Sequence, residues 1–109
     1  TFQVFWTSAG SVTTGVAVGL QGVFIPDDST IDAAFGTAIV VTDDATTTAN
    51  ELYVSGESAA ITIAGTPAVD GVCFFRIFRD VSDANDDMTQ DMRLIGIKLH
   101  YTTDAGTDA

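Results

Sequence analysis

Between Gly71 and Tyr101, two runs of β-type residues flank a polar connection, and this stretch constrains the fold more than any other. The runs are Val72-Cys-Phe-Phe-Arg-Ile-Phe-Arg79 and Met92-Arg-Leu-Ile-Gly-Ile-Lys-Leu-His-Tyr101; the connection is Asp80-Val-Ser-Asp-Ala-Asn-Asp-Asp-Met-Thr-Gln-Asp91. Aromatic and β-branched residues in short runs, broken by Asp, Ser and Asn, fit strands and do not fit a helical apolar period. Charge sharpens the picture. The chain's only Lys and Arg residues, Arg76, Arg79, Arg93 and Lys98, all lie in the two runs, and five aspartates lie between them. The stretch reads as a charge-arranged hairpin without a catalytic signature.

The same grammar extends over the rest of the chain. Strands are expected near Phe2–Thr7, Thr14–Ile25, Ala38–Thr42, Glu51–Val54, Ala59–Ile63, Val72–Arg79 and Arg93–Thr102. Seven or so strands in one short chain predict an all-β fold, a sandwich or barrel. Alternation places Phe2, Val4 and Trp6 on one face of the first strand and Gln3, Phe5 and Thr7 on the other. In the second, Val16, Val18 and Leu20 oppose Ala17, Gly19 and Gln21, and the glycines suggest bulges or close backbone approach. Pro26 and the Asp and Ser after it end that strand. Ser29–Phe35 reads as a turn or two of helix capped by Ser29, released at Gly36. Ala64–Gly71 reads as a Pro- and Gly-containing turn between strands of opposite direction.

The 109 residues make one domain, 46% hydrophobic and 17% charged, which is too apolar for disorder. A formal charge of −11 with four bases argues against nucleic acid and anionic membrane surfaces as partners. One cysteine, Cys73, rules out an intramolecular disulfide, and its apolar neighbours predict a buried, inert thiol. No apolar run approaches the ~20 residues of a membrane-spanning helix. No signal peptide is visible, and the missing initiator Met with a start inside a strand-like run suggests a processed chain or a fragment of something longer.

Candidate sites are few. Asp83, Asn85, Asp87 and Asp91 offer hard oxygen ligands for calcium, three of them at alternating positions as in an EF-hand loop. Counting from Asp83, however, position six is Met88 in place of Gly and position twelve is Leu94 in place of Glu. The plainer reading of the Asp83–Asp91 loop is carboxylates paired with Arg76, Arg79 or Arg93. The paired carboxylates Asp27 and Asp28, Asp43 and Asp44, and Asp86 and Asp87 meet one requirement of a glycosidase but sit in turn-like segments. His100 reads as a surface or interface residue. One His and one Cys, without Gly-x-Ser-x-Gly, supply neither a nucleophilic triad nor a zinc site, so no catalytic, cofactor or metal residues are assigned. Trp6, Phe5, Phe24 and Tyr53 could form a sugar-stacking platform, although aromatics at strand spacing more often form core. Arg76 and Lys98 pair with acidic neighbours or recognise an anionic partner.

Phe74-Phe-Arg-Ile-Phe-Arg-Asp-Val-Ser-Asp-Ala-Asn-Asp-Asp87 and Asp91-Met-Arg-Leu-Ile-Gly-Ile-Lys-Leu-His-Tyr-Thr-Thr-Asp104 resemble the C-terminal β-domain of virion structural proteins of tailed phages, especially marine phages. Phe5-Trp-Thr7, Gly19-Leu-Gln-Gly-Val23, Asp32-Ala-Ala-Phe-Gly-Thr-Ala38 and Val41-Thr-Asp43 fit the same pattern, which departs at Met92, where a small residue such as Ala is expected. The resemblance implies a β-sandwich of jelly-roll type with about eight antiparallel strands, preceded in a longer parent by upstream strands that residues 1–109 lack. It also implies a location in the virion, on a fibre, tail or capsid, and other virion proteins as partners. A homo-oligomer follows, with a trimer favoured, because apolar edge strands need cover. A host-receptor or glycan-binding domain of a tail fibre is the alternative. The resemblance brings no enzyme activity and no cofactor.

Overall fold

The computed structural model describes residues 1–103. Among them are six strands and no helix: β1 (Phe2–Ser8), β2 (Gly15–Pro26), β3 (Ile39–Asp44), β4 (Tyr53–Val54), β5 (Gly71–Arg79) and β6 (Met92–Leu99). They form two antiparallel sheets of three strands, in the orders β4-β1-β6 and β3-β2-β5. The all-β expectation stands. Ala59–Ile63 does not form a named strand; the chain there makes a single parallel bridge, Ala64 to Val23. Pro67 and the left-handed Gly65 (φ 82°) follow at once, so the contact cannot lengthen into a ladder.

The central strands β1 and β2 make the core. Alternation in β1 sends Phe2, Val4 and Trp6 inward, each at most 1% exposed, onto Val16, Val18 and Leu20 of the facing sheet. Burying side chains of this size contributes about 1.5–3 kcal/mol each. Both faces of β2 are covered, so Ala17 and Gly19 are buried as well. Gly19 shows why: a Cβ there would stand 2.4 Å from Cζ of Phe78, whose ring lies across the strand. The glycines of β2 therefore serve close approach. The irregularity lies elsewhere, in the β1/β6 ladder, where Phe5 pairs with Gly96, Trp6 pairs with Leu94, and Ile95 is left over. That bulge brings Met92 opposite the fully buried Ser8, where it packs against the core.

Two further expectations are corrected. Ser29–Phe35 is not helical. It is an exposed stretch that leads to Gly36 on the flank of β2 beyond its pairing with β3, where Gly36 N–H donates to the Gly22 carbonyl at 2.9 Å and Gln21 Nε2 donates to the Gly36 carbonyl at 2.8 Å. These contacts outweigh a cap whose third position is Asp instead of Glu or Gln. The Gly71–Tyr101 stretch is not a hairpin either, because β5 pairs with β2 and β6 pairs with β1. Each run finds a buried central strand, and the acidic connection carries the chain from one sheet to the other.

Candidate functional site

The loops that cross between the sheets define two sides of the molecule. Residues 45–52 join β3 to β4 on one side, and residues 80–91 join β5 to β6 on the other. The second side carries most of the unusual chemistry. β5 and β6 both lie at the ends of their sheets, contain all four Lys and Arg residues, and contain no carboxylate.

Arg79 closes one corner of this side. Its Nε donates to both Asp86 oxygens (2.9 and 3.1 Å), its Nη2 donates to Asp86 Oδ1 (2.6 Å) and to the Met88 carbonyl, and its Nη1 donates to the Gln90 carbonyl (3.0 Å). The Asp86 side chain is 2% exposed and the Arg79 side chain 24%. This hydrogen bonding holds the Asp86 carboxyl below the ordinary carboxylate range, against the opposing effect of burial, and the Ala17 N–H adds to it. The same bonding raises Arg79.

The aspartates also act on the backbone. β5 ends opposite Val18, which leaves the first residues of β2 without a strand on that flank. The loop takes its place: Asp86 Oδ2 accepts from Ala17 N–H at 3.0 Å, and Asp87 Oδ1 accepts from Gly15 N–H at 2.7 Å. Asp80 N–H donates to the Ala17 carbonyl, and Met88 N–H donates to the Gly15 carbonyl. Asp83 turns inward on the loop, accepting from Asn85 N–H and Nδ2. The calcium arrangement is thus not formed. Among the described residues, no three His, Cys, Asp or Glu side chains converge as a metal site. Of the paired loop residues, Arg79 is the partner; Arg76 instead lies over the rings of Phe35 (5.6 Å) and Phe78 (5.4 Å).

Beyond the Arg79 corner the side is open. One groove of about 560 Å³ runs between Ile77 and Arg79 of β5 and Met92 to Leu94 of β6. A second, of about 850 Å³, lies between Cys73 and Phe75 of β5 and Leu99 to Thr102, with Thr1, Glu57 and Ile61 also lining it. Cys73 is exposed, not buried as its neighbours suggested, because nothing among the described residues covers the outer edge of β5. His100 sits at the surface as expected, its carbonyl accepting from the Thr1 amino group at 3.0 Å. Glu57, also exposed, is lowered chiefly by the Thr1 hydroxyl that donates to it, and further by the His100, N-terminal and Lys98 charges.

The aromatic platform is not formed. Trp6, Phe24 and Tyr53 are 0, 5 and 7% exposed, and the Trp6 and Tyr53 rings pack 4.6 Å apart in the core. Phe5 points to the opposite face of β1 from Trp6. Of the carboxylate pairs, Asp43 accepts from Trp6 Nε1 at 2.8 Å, and Asp27 and Asp28 lie in the turn after β2. Tyr101, 84% exposed beside the larger groove, is an aromatic that alternation alone did not single out. Asp104, the last residue of the second segment read above as a resemblance, lies outside the described residues. No protein-family model matches this chain, and no curated protein or solved structure matches it.

Proposed function

We propose that the chain is a structural module of a tailed-phage virion, a β-sandwich of jelly-roll type that serves assembly and surface presentation on a fibre, tail or capsid. It works without catalytic residues or a cofactor, as a homo-oligomer with a trimer favoured. The observation that carries this reading is the strand order. In an eight-stranded jelly roll the chain crosses between two sheets so that the first strand lies beside the last, and the second beside the next to last. The orders β4-β1-β6 and β3-β2-β5 match the third to eighth strands of that plan. The segments that resemble phage proteins span most of the chain, and apolar residues exposed on both sheets, Val54 of β4 and Phe74 of β5 among them, favour an assembled state.

Immunogold labelling of intact particles with an antibody against this domain tests the reading. Label is expected on tail appendages or over the head. Particles that carry no label at either place overturn the virion assignment.

A second reading, a glycan-binding domain of a tail fibre, is favoured by one observation. The larger groove combines an exposed Tyr101 with Phe75, His100 and Glu57, an aromatic surface beside polar groups. A glycan-array signal that disappears on Tyr101→Ala is its expected result; an array blank for the unaltered protein removes it.

A further inference from the structure

Two strands at the ends of facing sheets, with grooves between them, are an incomplete edge. Val72, Phe74, Phe75, Leu94 and Ile95 are 39 to 60% exposed there, on strands whose outer backbone groups have no ladder. Such an edge calls for further strands. We propose that this side is completed by two extended strands of the same polypeptide, one adding to β5 and one to β6, the strand beside β5 leading into Thr1.

Three observations carry the proposal. In the jelly-roll plan, the places beside β6 and β5 belong to the first and second strands, and the second leads directly into the strand that corresponds to β1. Thr1 sits where that connection would arrive: it lines the larger groove together with Cys73 and Phe75, at the start of β5. Charge then defines the occupant. Arg93 and Lys98 alternate away from the inward Met92, Ile97 and Leu99, so they lie on the outer face of β6, while Arg76 is held on the outer face of β5 over Phe35. All three are exposed. The added strands therefore carry apolar residues inward, towards Phe75 and Leu94, and carboxylates outward, opposite the three cations. A second copy meeting this side through its own β5 and β6 would set Arg76, Arg93 and Lys98 against the same three cations, because neither strand carries a carboxylate.

The proposal deepens the jelly-roll reading and rests on it, but the test reads strand cover and not particle location, so either can fail alone. Hydrogen exchange is compared between the chain starting at Thr1 and the gene product that continues upstream of it. Amides of β5 and β6 are expected to exchange at least about tenfold more slowly in the longer protein, and the Cys73 thiol to lose its reactivity towards a maleimide. Arg93→Glu with Lys98→Glu should reverse the slowing in β6 of the longer protein and leave the shorter one unchanged. Equal exchange in the two proteins overturns the proposal. So does protection that grows with concentration in the shorter chain, which would mean a second copy covers the edge, and so does a gene that encodes nothing ahead of Thr1.

Discussion

The two sides of this molecule face the same problem, a gap between the end strands of two sheets, and meet it differently. At the β3/β4 side an aromatic pair fills the gap. Tyr53 packs its ring on Trp6, and its hydroxyl accepts from Thr46 N–H and donates to the Thr48 carbonyl. Trp6 Nε1 reaches across to Asp43, and Ala45, the first residue of the crossing loop, is buried. At the β5/β6 side a charged staple, Arg79 with Asp86, closes one corner and leaves the rest grooved. The difference teaches what closes an edge. A large ring with a polar tip supplies apolar area and still satisfies its donors, whereas a guanidinium gathers carbonyls and a carboxylate but covers little apolar surface.

The strongest challenge to this contrast is Tyr53→Ala, which removes the closing ring. It should cost about 4 kcal/mol in urea unfolding; a cost near that of a surface change would show that the β3/β4 side is no better closed than the other. Asp86→Ala comes next, at about 3 kcal/mol, because it strands the Arg79 guanidinium and frees the Ala17 N–H. Asp86 also sets an acid limit. Its carboxyl titrates lower in the folded chain than in the unfolded one, so the stability it confers is complete above the ordinary carboxylate value. It is lost as pH falls through the folded value. Asp86→Asn should accordingly flatten the loss of stability in acid, and parallel acid profiles for the two proteins would contradict it. Gly19→Ala should cost about 2 kcal/mol by forcing Phe78 off the strand, read as a lower urea midpoint. The smallest effect is expected on the open side, where Phe74→Ala should change the stability of this chain by less than about 1 kcal/mol.

Strand existence was legible in residue order because alternation is local. Phe2, Val4 and Trp6 announce their face within a few residues, as do Val16, Val18 and Leu20. Where the outcome depended on distant partners, reading along the chain failed. Nothing near Cys73 says that β5 ends its sheet, and nothing near Trp6 and Tyr53 says that their rings meet in the core. The candidate site was legible as an acidic connection between basic strands. The role of Asp86 and Asp87 was not, because their backbone partners, Ala17 and Gly15, lie far back in the chain. Helical propensity at Ser29–Phe35 lost to the contacts that the adjoining Gly36 makes with Gln21 and Gly22, a tertiary override of a weak local preference.

The aspartates seated on the first residues of β2 bear on how this sheet can grow. Twofold alternation separates inward from outward side chains, but a slip by two residues preserves it, so alternation alone leaves even-numbered slips unresolved. Here the loop from Asp80 to Met88 occupies the flank of Gly15 to Ala17, directly beyond the end of β5. It acts as an end stop. β5 meets it on sliding along β2 beyond Val18, so the register of β5 is set by a wall as well as by its pattern.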